Sequence, residues 1–105
     1  MKMKGLLKAA KRGNTFAQCQ IGDLYFRGIG VEQDFSEALE WYKSAATGGD
    51  ASSQVRLGLM YAKGMGVEQD QEEALLWIKK AYCHGHPAAR LILGEREDDN
   101  KNFPH

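Results

Sequence analysis

The chain has little with which to cross-link itself and little to break a helix: two cysteines and two prolines in 105 residues. So few cysteines cannot frame a disulfide-dense secreted scaffold, and without a leader they fit a reducing, cytoplasmic setting. Residues 1–12 open basic, but Lys8 ends the apolar stretch after Leu6 and Leu7, too soon for the h-region of a signal peptide. Net charge is missing too, since fourteen Lys and Arg balance fourteen Asp and Glu. No overall field therefore draws the molecule to nucleic acid or anionic lipid. No apolar run approaches the roughly eighteen residues a membrane-spanning helix needs, so membrane insertion is not expected. The length allows one domain, residues 1–105, with one modest core.

Glycine is abundant, with twelve residues, and its spacing explains why. A shift of 36 residues lays positions 13–48 on 49–84 with sixteen identities, among them Gly22/Gly58, Tyr25/Tyr61, Gly28/Gly64, Asp34/Asp70, Ala38/Ala74 and Trp41/Trp77. The offset continues through Ala89, Leu93 and Gly94, and at the front Leu6, Ala9 and Gly13 fall into register with Tyr42, Ala45 and Gly49. The chain divides into a half-unit at 5–13, full units at 14–49 and 50–85, a half-unit at 86–97 and a frayed tail at 98–105. A period of this length marks stacked supersecondary units that cannot bury their apolar faces alone.

Within a unit the apolar spacing is helical. Ala17, Ile21, Leu24 and Tyr25 follow i, i+4, i+7, i+8, and Ala38, Trp41, Tyr42 and Ala45 follow i, i+3, i+4, i+7. Each unit therefore holds a first helix, A, at 14–27 and 50–63, and a second, B, at 34–47 and 70–83. Asn14 and Asp50 suit the N-cap of A, Gly28 and Gly64 its left-handed C-cap, and Asp34/Glu37 with Asp70/Glu73 resemble a capping box at the start of B. Gly22 and Gly58 sit mid-helix at a cost of about 1 kcal/mol each, which predicts close helix approach in return. Trp41 and Trp77 are expected to supply the large knobs of the core.

These residues together resemble the Sel-one-like repeat, a relative of the tetratricopeptide repeat. The resemblance rests on Ala17, Ile21-Gly22, Tyr25, Gly28-x-Gly30-Val31, Asp34, Ala38, Trp41-Tyr42, Lys43, Ala45-Ala46 and Gly49, repeated through Gly85, and covers about residues 5 to 96. It implies an all-α right-handed α-solenoid of antiparallel helix pairs whose A helices line a concave face. Such proteins act mostly as non-catalytic adaptors for other proteins or peptides, often in bacterial signalling, envelope or host-interaction settings. A cysteine-rich branch with a disulfide in each repeat has been linked to penicillin binding; Cys19 and Cys83 are not paired in that way, so that activity does not carry over.

By the same resemblance the partner-binding positions are Phe16, Cys19, Asp23, Phe26 and Arg27 in the first unit and Ser52, Val55, Leu59, Ala62 and Lys63 in the second. Ala88, Leu91 and Glu95 follow in the last half-unit. Apolar anchors with Arg27 and Lys63 at matching positions would suit a peptide bearing a carboxylate. Equally, Phe16, Val55 and Leu59 would complete packing between A helices, and Arg27 and Lys63 would complement their own helix C-termini.

Other chemistry has weaker support. Cys83, His84 and His86 are close enough to suggest zinc, but such sites gather ligands from two separated segments, and no second pair lies nearby. The Gly28-Ile29-Gly30 and Gly64-Met65-Gly66 linkers lack the preceding strand and the spacing of a phosphate loop. No cofactor or catalytic residue is expected, Cys19 and Cys83 should be free thiols, and the protein should be a monomer or a weak end-to-end oligomer. The acidic run at 95–99 and the basic start, Lys2, Lys4, Lys8, Lys11 and Arg12, would either pair between neighbouring molecules or stand as solvated ends of opposite charge, and short charge runs favour the second.

Overall fold

The computed structural model describes residues 2–94, with the backbone alone for Lys2 and Gly94. Glu95, the remainder of the last half-unit and the tail at 98–105 lie outside the described residues. The elements are α1 (Lys2–Lys11), α2 (Thr15–Arg27), α3 (Phe35–Thr47), α4 (Ala51–Lys63), α5 (Gln71–Cys83) and α6 (Pro87–Ala89), which runs on as a π-helical turn (Arg90–Gly94). No strand occurs among the described residues. Each helix packs on the helix before and the helix after it. The result is an α-solenoid with extents of 55 × 25 × 19 Å and a radius of gyration of 15.1 Å, against about 13 Å for a compact domain of this length.

The helix ends follow from side chains at fixed places. Asn14, Asp34, Asp50 and Asp70 each accept the backbone N–H three residues on, at 2.9–3.0 Å. The expected capping box is half formed: the N–H groups of Asp34 and Asp70 donate instead to the carbonyls of Tyr25 and Tyr61, both at 2.9 Å. Helix B is thereby tied to the helix A it follows, with no need for Glu37 or Glu73 to reach back. Gly28 and Gly64 end α2 and α4 in the left-handed conformation with φ of 70°. In the linkers, Gln33 and Gln69 donate Nε2–H to the carbonyls of Phe26 and Ala62 at 2.8 Å, closing the C-termini of the A helices. His86 caps α6 in the register of Asn14 and Asp50, its Nδ1 accepting from Ala88 N–H at 3.0 Å, with Pro87 at the first helical positions.

The mid-helix glycines do bring the helices together. A Cβ on Gly22 would lie 2.7 Å from the Tyr42 ring, and one on Gly58 would lie 2.6 Å from Ile78 Cγ1 and 3.0 Å from the Ala74 carbonyl oxygen. The core differs from expectation in its large members. Trp41 and Trp77 are only partly buried and flank the clusters, whereas Tyr42, Ile21, Leu57 and Met60 are the largest side chains sealed inside. Small Ala38, Ala45 and Ala46 leave the room that Tyr42 fills. Gln18 and Gln54, buried one period apart, donate to the Ala10 and Ala46 carbonyls at 3.0 and 3.2 Å and link each A helix to the B helix before it. The last half-unit departs from a plain α-helix by widening into its π turn, next to Tyr82 where the first unit has Ala46.

The linker of the second unit presses on the first. A Cβ on Gly66 would meet the Phe35 carbonyl carbon at 2.6 Å and its oxygen at 2.7 Å, whereas the matching Gly30 has nothing within 4 Å. Both glycines have positive φ, 71° and 76°, so alanine costs about 1–2 kcal/mol of backbone strain at either. Gly66→Ala should therefore lower the thermal midpoint further than Gly30→Ala, by about 1 kcal/mol or roughly 4–8 °C in a domain of this size. Equal midpoints by calorimetry would show that the linker does not bear on α3.

Candidate functional site

Between α2 and α4, the two complete A helices, lies a cavity of about 240 Å³ lined by Asp23, Phe26, Arg27, Tyr42, Arg56, Leu59, Met60, Lys63 and Met65. Tyr42 reaches its floor from α3, because the missing Cβ of Gly22 lets the ring slide past α2 and present its hydroxyl on the far side. There the Tyr42 hydroxyl donates to Asp23 Oδ1 at 2.5 Å. The same oxygen receives Arg56 Nε at 2.9 Å, while Arg56 Nη1 donates to the Ser52 carbonyl at 3.3 Å. One carboxylate thus joins α2, α3 and α4. Phe26 stands beside it, its ring centroid 4.9 Å from Phe35 and 6.4 Å from Tyr42, forming an aromatic wall.

The electrostatics follow from this placement. Burial pushes the Tyr42 phenol well above its ordinary value near 10, and the hydrogen bond to Asp23 and its negative charge push it further. Burial works against the Arg56 guanidinium, but the charge of Asp23, with smaller contributions from Cys19 and Tyr42, outweighs it and raises its pKa. Burial also raises the Cys19 thiol, against a lowering hydrogen bond from Ser53, so Cys19 is a neutral core group and a poor nucleophile. Cys19 and Cys83 are both free, and Cys83 is exposed.

Of the positions taken from the resemblance, the structure brings Asp23, Phe26, Arg27, Leu59 and Lys63 to the cavity. Cys19 and Val55 are buried in the packing between successive A helices and present no surface. Phe16 is exposed outside the cavity, Ser52 contacts His86 Nε2 at 3.2 Å, and the Ala62 carbonyl accepts from Gln69 and Gln71. Ala88 packs against the last cluster, and Leu91 is exposed beyond the cavity. Sequence reading missed Tyr42, Arg56, Met60 and Met65. The signal was present in the places where the two units disagree: Asp23 against Leu59, Gln20 against Arg56, and Tyr42 against Ile78. Arg27 and Lys63 are exposed in the last turns of their helices and form no ion pair among the described residues.

The histidine cluster does not converge. His86 is engaged as a cap, and Cys83 and His84 point to solvent. The described residues contain no group of three His, Cys, Asp or Glu side chains that could hold a metal ion, and no helix among them is long and apolar enough to cross a membrane.

The Sel1 repeat model matches twice in succession, at residues 15–50 and 51–86. Among solved structures, a Sel1 repeat protein from Oxalobacter formigenes is 40% identical with a TM-score of 0.84, covering 89% of this chain and 27% of its own. The protective antigen c5321 of uropathogenic Escherichia coli, described as displaying an SLR fold, is 36% identical with a TM-score of 0.85, covering 89% and 20%. Helicobacter pylori cysteine rich protein B is 27% identical with a TM-score of 0.82, covering 86% and 68%. The chain thus spans under a third of the first two relatives. No curated protein matches it.

The raised Tyr42 phenol has a consequence at high pH. A group whose folded pKa lies above its unfolded value contributes stability that is fully present below about 10 and is lost as pH climbs toward the folded value. Wild-type stability should therefore fall above about pH 10 more steeply than that of Tyr42→Phe, as measured by urea unfolding at a series of pH values. Parallel curves would place Tyr42 in an ordinary environment.

Proposed function

Because the chain belongs to the Sel1 repeat family, we propose that it is a non-catalytic interaction module that holds a peptide or protein segment in the groove between α2 and α4. The observation that carries this reading is the cavity itself. Phe26, Leu59, Met60 and Met65 give it apolar walls, Arg27 and Lys63 give it cations, and its one carboxylate, Asp23, is already engaged by Tyr42 and Arg56. The complementary ligand is a segment that sets an acidic side chain or terminal carboxylate against Arg27 and Lys63 and an apolar side chain against Leu59 and Phe26. The Asp23 clamp holds both walls at fixed spacing, which lowers the ordering cost of binding.

Sel1 repeat proteins are generally interaction modules, and the three relatives come from bacteria, which supports a bacterial adaptor role. The reading requires no cofactor, nucleic acid or metal.

The test is fluorescence anisotropy with a panel of labelled peptides that pair a carboxylate with a Leu or Phe anchor. Arg27→Glu combined with Lys63→Glu should weaken binding by about tenfold or more, equivalent to about 1.4 kcal/mol, and should flatten its salt dependence. Both side chains are exposed, so the helices should survive the change. Should affinity stay level while helicity is intact, the two cations serve their own helix ends and the groove is not the binding face.

A further inference from the structure

The chain as a whole carries no net charge, yet the α2–α4 groove does. Three cations, Arg27, Arg56 and Lys63, line it against one carboxylate, Asp23, which leaves two positive charges in excess among the described residues. A single carboxylate in a ligand would neutralise only half of that excess. A phosphomonoester, which carries about −1.5 to −2 near neutral pH, matches it.

The usual task of a cation at a helix C-terminus is already performed here by other groups. At the end of α2 the Leu24 carbonyl accepts from the N–H groups of Gly28 and Ile29, that of Tyr25 from Asp34 N–H, and that of Phe26 from Gln33 Nε2. At the end of α4 the same places are taken: Met60 accepts from Gly64 and Met65, Tyr61 from Asp70, and Ala62 from Gln69 and Gln71. These bonds leave Arg27 and Lys63 with nothing to satisfy in the turn before them, and both are exposed at the cavity. Arg56 is held differently. Its Nε meets Asp23 at 2.9 Å and its Nη1 the Ser52 carbonyl at 3.3 Å, which fixes the plane of the guanidinium and leaves Nη2 without a partner among the described residues. A fixed guanidinium with donors to spare suits phosphate oxygens.

Resting on the groove reading, we propose that the acidic side chain held between α2 and α4 is a phosphorylated one: a phosphoserine or phosphothreonine sits among Arg27, Arg56 and Lys63, while a neighbouring apolar side chain of the same segment lies on Phe26 and Leu59. Arg56 is the residue that distinguishes phosphate from carboxylate, since Arg27 and Lys63 attract either. Register shows where this capacity arises: the first unit has Gln20 where the second has Arg56. The apolar walls of Phe26, Leu59, Met60 and Met65 offer inorganic phosphate nothing, so the ion by itself binds weakly.

The test uses the full chain and labelled peptides that share a Leu or Phe anchor and differ at one residue: serine, glutamate or phosphoserine. By anisotropy the phosphoserine peptide should bind at least about tenfold tighter than its glutamate twin, and the serine peptide most weakly. The second proton of a phosphomonoester leaves near pH 6, and the charged and titratable side chains that line the cavity, Asp23, Arg27, Tyr42, Arg56 and Lys63, include no histidine or cysteine. Affinity for phosphoserine should therefore rise as pH climbs from about 5 to about 7.5, while affinity for glutamate changes less. Arg56→Gln places there the residue that the first unit already carries at this register, and it should cut the preference for phosphoserine to about threefold or less. If that variant loses helicity by circular dichroism, Arg56→Lys, which keeps the charge and removes the planar fork, takes its place. Equal affinity for phosphoserine and glutamate, a preference that survives in the folded Arg56 variant, or competition by inorganic phosphate as strong as by the phosphopeptide would each overturn this proposal and leave the groove reading standing. Peptides that bind wild type and the Arg27→Glu, Lys63→Glu variant alike would overturn both.

Discussion

The missing Cβ at Gly22 determines most of what surrounds it. Because α2 carries no side-chain atom there, the Tyr42 ring crosses the helix at a distance no larger residue permits, and its hydroxyl emerges beside Asp23. Asp23 then reaches Arg56 on the neighbouring A helix, and the groove takes its width from that reach. The second unit has the same notch at Gly58 but fills it with Ile78, which has no hydroxyl to present. One backbone allowance, used twice, yields a polar joint in one unit and plain apolar packing in the other.

The repeat, the helix bounds and the caps were legible because they depend on local chemistry. An Asn or Asp before an apolar-periodic run and a glycine after it decide where a helix starts and stops almost regardless of the rest of the molecule. Asp34 and Asp70 were read correctly as caps, but their backbone partners, Tyr25 and Tyr61, were not, because that bond exists only once two helices have turned back on each other. The tryptophans illustrate the same limit. Their size marks them as core residues, yet the alanines and glycines of this fold bring the backbones too close to admit an indole, and Tyr42 lies inside while Trp41 and Trp77 rim the clusters.

The candidate site was legible in part. Position within helix A singled out Asp23, Phe26, Arg27, Leu59 and Lys63, and these do meet at one cavity. Position alone also pointed to Cys19 and Val55, which the stacking of successive A helices buries. Arg56 escaped notice because its register is occupied by Gln20 in the other unit, so that averaging the copies conceals it. In a repeat protein, identities between copies describe the scaffold, and the differences describe what this particular scaffold is for.

The joint at Asp23 also makes the two seams of the array unequal. Between α2 and α4 the apolar contact is reinforced by a carboxylate shared between a phenol and a guanidinium. Between α4 and the last half-unit Ser52 meets His86 at 3.2 Å, a contact without charge pairing, beside a turn that has left α-helical geometry. Linear arrays lose structure where the nearest-neighbour term is weakest. Unravelling therefore starts at the C-terminal seam, and amide protons in α6 exchange with solvent well before those of α2 and α3.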